Sequence, residues 1–95
     1  MSAYFIVEVE VTDPAAYEEY KPMAGASVAK HGGRFIVRGG KAELIEGANP
    51  PKRVVVLEFD NVEAAKRWYQ SEEYKPALAL RLRAAKSRVI QVEGA

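Results

Sequence analysis

Ninety-five residues, 48% of them hydrophobic, suffice for one domain over residues 1–95 with a core of its own. Fourteen basic against thirteen acidic residues leave a formal charge of +1, which offers no electrostatic drive toward nucleic acid or an anionic membrane. With no cysteine and a single histidine, disulfides, a cysteine nucleophile, thiolate zinc sites and multi-histidine metal sites within one chain are excluded.

The chain runs directly into strand-like residues, with no signal peptide or membrane-spanning run, so a cytoplasmic location is expected. From Tyr4 to Val11 the residues alternate strictly: Phe5, Val7, Val9 and Val11 face one way, Tyr4, Ile6, Glu8 and Glu10 the other. Asp13-Pro14 reads as a helix start, since a carboxylate at the N-cap accepts orphan amide bonds and proline at the first turn has no amide to leave unpaired. Tyr17, Tyr20, Ala24 and Val28 then recur at helical spacing, and the same rotation continues to His31. Pro22 predicts a kink or break within that helix.

Gly32 is expected to cap the helix, and Arg34–Arg38 to form a strand with Phe35 and Val37 inward and Arg34, Ile36 and Arg38 on the other face. Gly39-Gly40 ends it. Lys41 to Glu46 reads as a short strand extension before the turn-rich Gly47–Pro51 loop. Arg53–Phe59, with its Val54-Val55-Val56-Leu57 run, predicts a central strand.

Asp60 and Glu63 have the three-residue spacing of a capping box and open a helix through Trp68 and Tyr69. Ser71 and Pro76 mark a second start, with Leu78, Leu82 and Ala85 as its apolar stripe and Arg81 and Arg83 beside or opposite it. Val89–Glu93 closes the chain as a fourth strand. The order β-α-β-β-α-β, with the second helix in two pieces, predicts an α+β ferredoxin-like sandwich: a four-stranded antiparallel sheet with helices on one face.

The same alternation puts Tyr4, Ile6, Glu8, Glu10, Arg34, Ile36, Arg38, Val54, Val56, Glu58, Val89, Gln91 and Glu93 on the uncovered face. That face is too apolar for water and too charged for a plain core, which predicts a symmetric homodimer closed through it, acids of one sheet against arginines of the other.

The ordered set His31-Gly-Gly-Arg-Phe-Ile-Val-Arg-Gly-Gly40, Glu46-Gly47, Arg53-Val-Val-Val-Leu-Glu-Phe59, Ala65-Lys-Arg-Trp-Tyr69, Ser71-Glu-Glu-Tyr74 and Arg81 resembles the bacterial family called domain of unknown function 1330. The resemblance covers almost the whole chain. It implies a dimeric α+β barrel, a fold shared with cofactor-free monooxygenases, isomerases and haem-degrading proteins, and it supplies no reaction.

His31 is the candidate catalytic group: an imidazole changes charge near neutral pH and can act as general acid or base on a small polar organic molecule. Its alternative role is to favour the helix C-terminus through the dipole. Tyr17, Tyr20, Trp68, Tyr69 and Tyr74 serve the core or line a pocket, with Tyr20, Trp68 and Tyr69 the candidates for substrate contact. Arg34 is the candidate anchor for a substrate carboxylate, with pairing to Glu8, Glu10 or Glu58 as the simpler explanation for it and for Arg38.

Haem binding would require His31 as the proximal ligand. The glycine pairs lack phosphate-loop and dinucleotide spacing. The expected function is therefore binding, and transformation without cofactor or metal, of a small organic molecule near His31; the alternative is a non-catalytic binding or assembly module.

Overall fold

The computed structural model describes residues 1–95. Strands β1 (Ala3–Val11), β2 (Arg34–Arg38), β3 (Arg53–Phe59) and β4 (Ala85–Glu93) form one antiparallel sheet in the order β2-β3-β1-β4. Helices α1 (Pro14–Lys30), α2 (Val62–Tyr69) and α3 (Lys75–Ala84) complete the ferredoxin-like α+β sandwich that the order of elements predicts. The core lies between the helices and the sheet face carrying Phe5, Val55, Leu57 and Phe59, against Ala24 and Val28 of α1, Ala65 and Trp68 of α2, and Ala77 of α3.

Asp13 caps α1 as expected, its Oδ1 accepting from the Ala16 amide at 3.2 Å. At the other end His31 is the C-cap, and Gly32 follows at φ +75°. The Gly32 amide donates to Ala29 and the Gly33 amide to Val28, so both helix carbonyls are satisfied in a Schellman turn that only a residue tolerant of positive φ closes cheaply. Gly33 then passes so close to the buried ring of Phe59 that a β-carbon there would overlap it.

Several local expectations are corrected. Helix α1 runs unbroken through Pro22, which lies on its exposed side, where water can solvate the carbonyl that proline leaves without a donor. Residues 41–46 form no strand. The cap of α2 is Asn61 rather than Asp60, its Oδ1 accepting from Ala64 at 2.8 Å. The buried side of α3 is Ala77, Leu80, Arg81 and Ala84, while Leu82 is exposed.

Two corrections change which side chains face the helices. The β2–β3 register shifts between Phe35 and Val37, so Ile36 is an extra residue, Val37 pairs with Val56 of the open face, and Arg38 pairs with Val55 of the helix face. Strand β4 begins at Ala85, four residues early, and pairs Val89 with Val7 and Gln91 with Phe5. Val89, Gln91 and Glu93 therefore belong to the helix face; Arg88, Ile90 and Val92 take the open face.

Candidate functional site

The helices do not close fully over the sheet. A slot of about 550 Å³, its open mouth included, runs between α1, α2, α3 and the sheet, and only a small part of that space is enclosed. Its walls are aliphatic and aromatic: Phe5, Val7, Val9, Val55, Leu57 and Val89 from the sheet, and Tyr17, Tyr20, Trp68, Tyr69 and Tyr74 from the helices and the turn before α3. Phe5, Tyr69 and Val89 also bound a broader hollow beside α2, so they are the partition between the two spaces.

The aromatic walls are held by one another. Trp68 lies 4.2 Å from the ring of Tyr74 and 5.5 Å from both Phe5 and Phe59, centroid to centroid. Its indole Nε1 donates to Ser27 Oγ at 3.0 Å, and that hydroxyl donates to the Ala24 carbonyl at 2.8 Å, so the polar edge of the indole is satisfied by α1. Ser71 shapes the turn that presents Tyr74: its hydroxyl donates to the Trp68 carbonyl at 2.7 Å and accepts from the Tyr74 amide at 3.1 Å.

One polar chain lies among these rings. The hydroxyls of Tyr20 and Tyr74 are 2.8 Å apart, and Arg81 Nε donates to the Tyr74 hydroxyl at 3.3 Å. Burial, reinforced by Tyr74, pushes the Tyr20 phenol far above its ordinary range, so it remains a protonated donor rather than a base. Burial opposes the Arg81 charge, while Tyr74 favours it; the balance leaves the guanidinium above its usual value and fully charged. Phenol, phenol and guanidinium together can hold an oxygen that carries negative charge.

Nearer the mouth, Arg53 Nε donates to the Tyr17 hydroxyl at 3.2 Å. Arg38, turned toward the helices by the bulge, lies 4.0 Å over the Phe35 ring and donates to the Lys21 carbonyl at 3.1 Å. Its guanidinium lies beside Gly25 of α1.

Of the residues singled out from sequence, Tyr20, Trp68 and Tyr69 line the slot, whereas His31 and Arg34 do not. His31 Nε2 lies 2.7 Å from Glu73 Oε1, a hydrogen bond that holds the Glu73 carboxyl below the usual carboxylate range. This contact ties the end of α1 to the turn that carries Tyr74. Arg34 is on the open face, its Nε donating to Glu58 Oε1 at 2.9 Å. The expectation that Arg38 shares that face is overturned by the bulge.

The residues missed as site members are Arg81, Arg53 and Arg38. A signal for Arg81 exists in the sequence: Tyr74, Ala77, Arg81 and Ala84 follow a spacing of three, four and three, which puts the arginine on a helical stripe with small and aromatic residues. No three His, Asp or Glu side chains gather to hold a metal ion, and no helix is long and apolar enough to cross a membrane.

A four-stranded antiparallel sheet with an aromatic slot beneath its helices defines a ferredoxin-like α+β protein of the kind found in dimeric α+β barrels. The chain belongs to the family described as Domain of unknown function (DUF1330), whose model matches residues 2–95. No curated protein matches it.

Among solved structures it is similar to a protein of unknown function from Rhodopseudomonas palustris (19% identity, 99% of this chain and 82% of that one, TM-score 0.80). It is also similar to a dimeric ferredoxin-like protein of unknown function from Jannaschia sp. CCS1 (12%, 99% and 100%, TM-score 0.79). A third is SnoaB, a cofactor-independent oxygenase from Streptomyces nogalater (15%, 99% and 93%, TM-score 0.67). At these identities the likeness is one of fold.

Proposed function

We propose that this chain forms a homodimer through the open face of its sheet and that each protomer binds a small organic molecule in the slot beneath its helices. The observation that carries the ligand reading is the slot itself: aromatic and aliphatic walls surround one buried phenol–phenol–guanidinium chain, the mixture of apolar surface and few polar anchors that small-molecule sites use. The dimer reading is supported by Ile6, Val54, Val56, Ile90 and Val92 on a face with no helix over it, and by the dimeric state of the Jannaschia protein.

Four of the charges on that face are already paired within the chain, Arg34 with Glu58 and Arg88 with Glu8 at 3.4 Å. The aliphatic residues, rather than acid–arginine contacts between sheets, then provide the association. Transformation without cofactor, as in SnoaB, is a second reading; the hydrogen-bonded Tyr20, Tyr74 and Arg81 favour it, because they can stabilise an oxyanion. In that reading the His31–Glu73 pair positions Tyr74 from outside the slot.

A thermal-shift screen of small aromatic and aliphatic metabolites tests the ligand reading, since whatever binds only the native protein raises its melting temperature. Stabilisation that Tyr20→Phe and Trp68→Phe diminish is the expected result; a library without effect contradicts it. Sedimentation velocity at micromolar concentration should give twice the chain mass, and a monomer there would end the dimer reading.

A further inference from the structure

Every slot-lining side chain that is not apolar or aromatic is a cation: Lys21, Arg38, Arg53 and Arg81. No aspartate or glutamate lines it. Lys21 is matched by Glu18 at 2.7 Å on the same helix, but no carboxylate lies at ion-pair distance from any of the three arginines.

Arg81 is the decisive one. It is 4% exposed, and its one hydrogen bond within the protein goes from Nε to the Tyr74 hydroxyl. None of its nitrogens is both fully buried and unpartnered, and Arg81 lines the slot. The neighbouring phenols offset the burial of this charge, but they supply no carboxylate for the guanidinium to pair with, and arginine does not lose its proton. The compensating charge then comes from outside the chain.

We propose that the slot's ligand is an organic anion: a flat, largely apolar body bearing one carboxylate, which the Arg81 guanidinium grips in a forked pair while the body, larger than the enclosed part of the slot, extends along its aromatic wall into the open mouth. A planar monoanion fits the planar fork. A phosphate, tetrahedral and more heavily hydrated, would find one guanidinium and two phenols at the inner end and apolar walls around them. Arg38 and Arg53 nearer the mouth add a positive field that draws such an anion in. This deepens the small-molecule reading above and rests on it.

The test is calorimetric titration of the purified protein with benzoate, 1-naphthoate, phenylacetate and octanoate, each alongside its neutral primary amide. At least one acid is expected to bind at least about tenfold more tightly than its amide. Arg81→Met should bring that acid down to the level of its amide while far-ultraviolet circular dichroism and the melting profile show an intact fold. Arg81→Lys, which keeps a charge and loses the fork, should recover only part of the difference and serves as the readout if the methionine variant does not fold.

An acid and amide that bind equally, or variants that keep the wild-type preference, overturn the anion inference and leave the small-molecule reading standing. Failure of every acid and every amide to bind overturns both.

Discussion

The two faces of the sheet use the same residue type in opposite ways. On the open face Arg34 and Arg88 each lie beside a glutamate of the neighbouring strand, at 2.9 and 3.4 Å, and the positions between them are aliphatic. On the helix face Arg38, Arg53 and Arg81 contact phenols, a ring and a backbone carbonyl, and no carboxylate lies at ion-pair distance, though Arg53 acts on Glu18 from farther away. A face whose charges are balanced internally can pack against another protein surface without adding counter-ions, whereas one with surplus guanidinium groups is incomplete until an anion arrives.

The sharpest way to separate the faces is to truncate a large side chain on each. Trp68→Ala removes the centre of the aromatic wall and should cost about 3–5 kcal/mol in urea unfolding. Ile90→Ala on the half-buried open face should cost about half of that or less in a monomeric state, where the site is wet. Equal losses would show that both faces are packed in the free chain.

Next in size is Gly33→Ala. The added methyl meets the buried Phe59 ring and should destabilise by about 1–3 kcal/mol, the usual range for overpacking, without changing sedimentation behaviour. A neutral result would mean that Phe59 moves freely.

The arginines should differ even in stability. Arg34→Gln breaks an ion pair whose arginine is 52% exposed, a change worth roughly 0.2–1 kcal/mol. Arg81→Met, which removes a charge with no carboxylate partner together with its hydrogen bond to Tyr74, should leave thermal stability close to that of the wild type. A clear loss on Arg81→Met would mean that the charge supports the fold and would erase the contrast.

Acid titration gives the smallest effect. The Glu58 carboxyl is held low by hydrogen bonds from Ser2 first and then Arg34, and the Glu73 carboxyl by His31. Their folded values lie below the ordinary 4.5, so the stabilisation is complete above about that pH and fades as pH falls through the depressed values. Melting temperature should hold from pH 7 to about 5 and decline below, and Glu58→Gln with Glu73→Gln should flatten the decline. An identical decline in the double variant would assign it to other carboxylates.

Much of this was legible in the chain. The strict alternation of Tyr4–Val11, the Asp13-Pro14 start and the Tyr17–Val28 stripe each carry one periodicity and one cap, and the fold follows from them. What was not legible depends on parity. In Arg34-Phe-Ile-Val-Arg38 a single extra residue reverses the last two side chains, and two adjacent aliphatics hide the change until β3 pairs with the strand. Val89-Ile90 is ambiguous in the same way, and the partner strand decides.

The site was half-visible for a related reason. Tyr20, Trp68 and Tyr69 announce themselves as aromatics, but a charged residue on a short helix reads as solvated, and only the packing of α3 against α1 puts Arg81 inside. His31 drew notice as the one histidine, yet the Schellman turn directs it to Glu73.

The most direct test of the contrast between faces is to follow the arginine side-chain Nε–H signals by NMR while adding the tightest carboxylate from the calorimetric series. The Arg81 signal should shift progressively and become slower to exchange with water, while those of Arg34 and Arg88 stay in place. Equal shifts on both faces, or a stationary Arg81 signal at saturation, would contradict the assignment of the slot as the anion-binding face.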